Sequence, residues 1–136
     1  MQAYPVVIHK DHDSDYGTEV PDLPGCYSAG CTLSEALHAT REAIYAHLEG
    51  MAQDGELAPG PSDLSDIQLF ERHSGAVAFA AVEIDASKVS TESERVNITL
   101  PKWLISSIDA SEPNRSRFLA QSAIKALQEK SREEAL

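Results

Sequence analysis

Residues 31–51 read CTLSEALHATREAIYAHLEGM, and the periodicity of this stretch decides the fold of what surrounds it. Thr32 and Glu35 have the T-x-x-E spacing of a capping box, in which side-chain oxygens satisfy amide donors that a helix start leaves unpaired. Leu33, Leu37, Ile44, Leu48 and Met51 recur at helical intervals, with Ala36, Thr40 and His47 near the same stripe. A helix of this kind has one face to bury, and a small sheet is the surface that can take it. Gly55 is a plausible end.

Upstream, β-branched residues cluster around Tyr4, Val6, Val7 and Ile8, which predicts a first strand; the polar stretch from Asp11 to Asp15 then turns the chain. A second strand runs through Tyr16, Thr18 and Val20 to PDLPG at residues 21–25, where two prolines and a glycine stop regular pairing. Cys26 to Ala29 form a short third strand. Downstream, Leu57 to Asp66 is rich in Pro, Gly, Ser and Asp, the composition of a surface connection. AVAFAAVEI at residues 76–84 supplies a fourth strand, whose near-continuous apolarity predicts a buried central position. The front of the chain is therefore β-β-β-α-β over residues 1–87, and KVSTESE at residues 88–94 is the best linker.

The tail has a different grammar. Val96, Ile98 and Leu100 alternate with Arg95, Asn97 and Thr99, so a strand here has one apolar and one polar face. Pro101 opens a short helix containing Leu104, Ile105 and Ile108. Asn114 caps a second helix, where Phe118, Leu119, Ala123, Ala126 and Leu127 form much of an apolar face. A strand and two short helices within residues 95–130 cannot bury their own edge, and an antiparallel pairing of two copies of RVNITL completes the core. That homodimer sets Arg95, Asn97 and Thr99 on a polar ribbon narrow enough for a DNA major groove. Arg95 matches guanine O6 and N7, Asn97 an adenine edge, and Thr99 a hydroxyl contact or a thymine methyl. At the start of the second helix, exposed amides from Asn114 to Arg117 can hold a phosphate, helped by Arg115 or Arg117.

Charge supports the division. Of 136 residues carrying a formal charge of −11, the first 90 hold four basic side chains against fifteen acidic ones, and the last 46 hold seven of each. A uniformly acidic chain has no general attraction for nucleic acid, but a balanced tail can gather its cations on one face. Two cysteines, Cys26 and Cys31, are too few for a disulfide framework and lack the CxxC redox spacing, so reduced core thiols are expected. With no signal peptide and no apolar run of membrane length, the cytoplasm is the default compartment.

RVNITLPKWLISSIDA followed by NRSRFLAQSAIKAL resembles the ribbon-helix-helix family of dimeric repressors over residues 94–129. The resemblance implies base reading by Arg95, Asn97 and Thr99 and phosphate contact at Asn114, Arg115 and Ser116, to which the reading of the helix start adds Arg117; a dimerisation tail with a solvated strand face is the alternative. The front, with PDLPGCYSAG and TLSEA leading into an amphipathic helix, is similar over residues 3–85 to the HicB antitoxin family. That resemblance implies a partial ribonuclease-H-like fold that binds and neutralises a HicA-type toxin, a small mRNA-cleaving ribonuclease, while the tail represses the operon. It implies no cofactor. An acidic front can meet a basic RNA-binding partner, and Asp11, Asp13, Asp15, Glu19 and Tyr27 are the candidate toxin contacts; for the acidic run a solvated turn, and for Tyr27 core support, remain open. Two dimers on adjacent half-sites would make a tetramer.

Catalysis is not expected. Asp11, Asp13 and Asp15 sit in one turn instead of converging from separate core positions around cations, and Tyr16 stands where a calcium loop needs glycine. His9, His12, His38, His47 and His73 have no zinc-ligand spacing. Trp103 is expected in small-domain packing. The remaining functional alternative is a stand-alone repressor whose front senses a ligand or contacts another protein.

Overall fold

Tyr4 through Ile8 are all buried, which marks β1 (Gln2–His9) as the strand around which the sheet is built. The computed structural model describes residues 1–68, 73, 75–89 and 94–134. β1 pairs antiparallel with β2 (Tyr16–Glu19) on one side and with β4 (Ala78–Ile84) on the other, while β3 (Tyr27–Gly30) pairs with the far side of β2, giving the order β3-β2-β1-β4. With α1 (Leu33–Gln53) between β3 and β4, the front has the expected β-β-β-α-β arrangement.

One strand assignment is corrected. Among the described residues AVAFAAVEI supplies an edge strand, and the central position belongs to β1. Ala81 and Glu83 are exposed while Val82 and Ile84 are buried, so the alternation of a half-covered strand is present but hidden by alanine, which is apolar without demanding burial. The short helix α2 (Leu64–Gln68), with Ile67 buried, packs beside β4; it lies in the stretch read as connection.

α1 starts as its capping box requires. Thr32 Oγ1 accepts from the Glu35 amide at 3.1 Å, and Glu35 Oε2 accepts from the amide of Cys31 at 3.2 Å, one residue before the cap. The buried line is Ala36, Thr40, Ile44 and Leu48, with Leu33 exposed, so the helix is rotated slightly from the stripe its leucines suggest. The reason is polar: Thr40 Oγ1 donates to Ala36 O at 2.6 Å and accepts from Thr18 Oγ1 at 2.7 Å, pinning the helix to β2 through a buried hydroxyl pair. Around this pair Tyr4, Val6, Ile8, Val20, Leu23, Cys26, Ile44, Leu48, Val82 and Ile84 form the core.

Leu23 was hidden among turn residues, yet it is fully buried. Val20, Leu23 and Cys26 exchange three backbone hydrogen bonds around the PDLPG turn, and Gly25 takes a φ of 89° that a side chain would resist. The loop after α1 is tied down as well: Tyr4 Oη donates to Pro59 O at 2.7 Å, and Asp22 accepts from both the amide and the hydroxyl of Ser62 at 2.8 and 2.5 Å. Cys26 is buried and Cys31 exposed, and both thiols are free.

In the tail, Pro101 O receives the amides of Leu104 and Ile105, opening α3 (Lys102–Ser111); Asn114 Oδ1 accepts from the Arg117 amide at 3.0 Å and caps α4 (Arg115–Glu134). Arg95–Leu100 belongs to no strand within the single chain, and the strand expected here is one that pairs with a second copy. Ladder bonds need a second strand, and the sheet of the front does not supply it. Of the 88–94 linker, residues 90–93 lie outside the described residues, and Ala86–Lys88 form a 3-10 turn.

The close approach of β3 to α1 gives a direct test. A Cβ on Gly30 would come to 2.8 Å from Ala36 Cα and 2.8 Å from Glu35 carbonyl carbon, both immovable backbone. Gly30→Ala is expected to lose about 1–3 kcal/mol of stability by forcing the helix start away from the sheet, read as a lower urea midpoint at unchanged slope.

Candidate functional site

The structure separates the five candidate partner contacts into two groups. Asp11, Asp13 and Asp15 share the β1–β2 turn, all exposed, where Lys10 Nζ donates to Ser14 O at 2.7 Å and the Asp11 amide donates to Ser14 Oγ at 2.8 Å. Glu19 and Tyr27 are register partners on β2 and β3, at the opposite end of β2. Three residues of strand, about 10 Å, separate the groups. Tyr27 is 66% exposed on an edge strand, so the core-support reading of this residue fails and a surface contact is left. Tyr45 does take a supporting role, its hydroxyl accepting from the Asp85 amide at 2.7 Å.

Arg95, Asn97 and Thr99 are exposed, but so are the intervening Val96 and Ile98, at 71% and 62%. Trp103 is 70% exposed and Leu127 52%, so Trp103 does not find its expected packing inside one chain. These apolar side chains, carried by the segment before α3 and by both tail helices, are left uncovered by the rest of the molecule.

The start of α4 is more constrained than its sequence implied. Arg115 grips Asp109 with two bonds of 3.1 and 2.7 Å, which holds the Asp109 carboxyl below its ordinary range and raises the guanidinium. The Arg117 guanidinium lies 2.6 Å from Asp85 Oδ2, and Asp85 is only 3% exposed. Thus the amides of Arg115 and Ser116 remain at the helix start, while the arginine side chains beside them are engaged by carboxylates.

Asp85 is the residue whose importance went unread in the sequence. Its Oδ1 accepts from the Ser87 amide at 3.1 Å, the Ser87 hydroxyl at 2.6 Å and Gln121 Nε2 at 2.7 Å. Burial opposes ionisation, but the Ser87 and Gln121 bonds and the charge of Arg117 outweigh it and pull the carboxyl down to about 2. The D-x-S spacing of a small capping turn was a local signal; its long-range partners had none. Further along α4, Gln128 Nε2 donates to Ala58 O at 3.1 Å, its Oε1 accepts from Gln2 Nε2, and Arg132 reaches Gly60 O and Pro61 O at 3.1 and 3.2 Å. The second tail helix therefore lies along the front.

Among the described residues no group of three or more His, Cys, Asp or Glu is placed to hold a metal ion, and no helix is long and apolar enough to cross a membrane. His73 is packed in the interior and His38 pairs with Glu42 on the surface of α1 at 3.3 Å.

A four-stranded sheet backed by one helix, joined to an exposed segment and two helices with apolar faces uncovered, defines an α+β protein built to bind other macromolecules. The family described as HicB-like antitoxin of bacterial toxin-antitoxin system matches residues 4–123, and the chain belongs to it. A 14.9 kDa protein of the rep-hol intergenic region of Haemophilus phage HP1 is 38% identical over 130 residues, covering 91% of this chain and 96% of the phage protein. The crystal structure of the Burkholderia pseudomallei antitoxin HicB superposes with a TM-score of 0.79 at 37% identity, over 93% of this chain and 99% of that one. A HicA3 and HicB3 toxin-antitoxin complex contributes a chain that matches at TM-score 0.54 and 29% identity, over 62% of this chain and 99% of its own.

The Asp85 cluster predicts a pH signature. A folded pKa depressed below that of the unfolded chain adds stability that is full above about pH 4 and is lost as pH falls towards 2. Urea midpoints measured for the intact protein and for Asp85→Asn should differ most above pH 4 and converge towards pH 2; a constant difference across that window would contradict the assignment.

Proposed function

We propose that this chain is an antitoxin that neutralises a HicA-type mRNA-cleaving toxin through its front module and represses its own operon through a ribbon-helix-helix tail, acting in the cytoplasm by stoichiometric binding. The observation that carries the reading is the family match, which runs from β1 into α4 and so spans both parts of the chain. The HicA3 and HicB3 complex, matched over 62% of this chain, supports a toxin as the partner.

The physical case has two parts. All of the net charge of −11 is carried by the first 90 residues, which speeds encounter with a basic ribonuclease and sets the front in competition with RNA for the same cationic surface. Tyr27 on the edge strand, with the half-buried Glu19 paired beside it on β2, then forms one contact, and Asp11, Asp13 and Asp15 form a second, electrostatic patch on the hairpin turn. In the tail, the unpaired Arg95–Leu100 segment and the exposed Val96, Ile98 and Leu127 are what a two-fold partner would cover. Pairing two copies antiparallel satisfies the segment's amides and carbonyls, buries Val96, Ile98 and Leu100, and presents Arg95, Asn97 and Thr99 to the bases. Asn114, Arg115, Ser116 and Arg117 meet the flanking phosphates. Two such dimers on neighbouring half-sites make a tetramer.

Operator recognition is tested by fluorescence anisotropy at fixed salt with the duplex upstream of this chain's own gene, a scrambled duplex and Asn97→Ala. Selective binding is expected, with a loss of about 1–3 kcal/mol in the variant; equal affinity for both duplexes would remove base reading from the tail.

Toxin neutralisation is tested by titrating a HicA-type ribonuclease and following RNA cleavage. Inhibition at a fixed stoichiometry is expected, with Tyr27→Ala weakening the complex about tenfold through faster dissociation. Unimpeded cleavage at saturating antitoxin would overturn the reading of the front.

A further inference from the structure

The face of α4 that meets the front is polar. Arg117, Gln121, Ile124, Gln128 and Arg132 follow one another at intervals of four, three, four and four residues, which confines them to about 80° of the helix circumference. Leu119, Ala123 and Ala126 lie on the opposite side, turned away from the front. Four of the five residues on the docked face make polar contacts: two with Asp85, one with Ala58 and Gln2, one with Gly60 and Pro61. Between these contacts the seam is opened by clefts that face solvent. Open cavities of about 140, 240 and 320 Å³ lie along it, the smallest bordered by Tyr4, Leu48, Ala86, Val89, Ile124 and Gln128. Sparse packing forfeits dispersion contacts, so the directed polar bonds hold the helix in place.

One of those contacts, the ion pair with Asp85, occupies a group with a second use. Arg117 stands in the first turn of α4, beside the free amides of Arg115 and Ser116, and its guanidinium is held at 2.6 Å by a buried carboxylate. A guanidinium can satisfy a carboxylate or a phosphate, and a fixed negative charge at this distance lowers the potential at the phosphate position. We propose that α4 is a latch for which Asp85 and an operator phosphate compete through Arg117, so that DNA binding at the start of α4 loosens the front module from its seat and the docked state holds DNA affinity down. This rests on the operator reading of the tail, and the experiment separates the two.

The full-length chain, Asp85→Asn and Gln128→Ala are compared, each first shown to be folded by circular dichroism. Asp85→Asn removes the competing charge. Gln128→Ala loosens the seat some eleven residues away, about 16 Å along the helix, with no change of charge and no place in the phosphate contacts. Anisotropy on the upstream duplex is followed from low to moderate salt, and hydrogen exchange of residues 56–62 and 84–89 is recorded with and without that duplex. Both variants are expected to bind the duplex more tightly, Asp85→Asn by about three- to tenfold with a salt slope steeper by about one phosphate contact. Added duplex should also speed exchange at both segments in the intact chain.

Unchanged affinity in both folded variants, with exchange untouched by DNA, overturns the latch and leaves operator binding standing. If neither the intact chain nor the variants bind the duplex, the operator reading fails and the competition falls with it. Binding by the variants but not by the intact chain supports the latch in its strongest form.

Discussion

A carboxylate removed from water must be given donors, and that of Asp85 receives them from the turn that follows it and from the second tail helix, while α1 takes its backbone amide. Ser87 closes the turn after β4, Tyr45 on α1 takes the Asp85 amide, and Gln121 and Arg117 reach in from the second tail helix. An unpaired charge at 3% exposure would cost several kcal/mol, so the four elements are held to one arrangement while the site is intact. The end of β4, the turn that follows it, the back of α1 and the line of α4 are fixed together at this point. Beyond it, the second tail helix meets the front through the bonds of Gln128 and Arg132.

This junction also explains how one helix serves two neighbours. Its polar stripe is committed to the front through Arg117, Gln121, Gln128 and Arg132, and its apolar stripe is left facing outward with Leu127 half-exposed. An isolated reading of amphipathicity assigns the apolar face to the core and the polar face to solvent. In α4 the polar face is used inside the molecule, and the apolar face awaits a second surface. The same division runs through Arg95–Leu100, where residues of both parities are exposed because no neighbouring strand has divided them into an inner and an outer face.

What could be read from the sequence was local and periodic. The capping box at Thr32 and Glu35, the cap at Asn114, the proline opening α3 and the three strands before α1 each follow from residues within one or two turns of each other, and each is present. The misplaced β4 came from alanine, whose apolarity carries little information about burial. Leu23 and α2 were concealed by glycine, proline and serine neighbours that dominate any reading of turns. Asp85 was invisible for a different reason: its partners lie up to 40 positions away, and a single acidic residue at the end of a strand looks like any solvated turn residue. The candidate partner residues were legible as types, but the turn carrying Asp11, Asp13 and Asp15 and the Glu19–Tyr27 pair were not separable until the register of β2 was known.

The chemistry chosen for the seam bears on its behaviour. Leucines at positions 121 and 128 would exchange directed polar bonds for apolar contact along the clefts beside the helix. The exposed bonds of the seam, those of Arg132, can each be replaced by one to water at little net cost, whereas the buried Asp85 carboxylate must keep donors of its own. Where two parts of a chain share contacts of this kind, the state of one can be felt by the other. The geometry around Asp85 is firm in its bonding, with an open cleft beside it where Gln121 and Ala86 meet the surface.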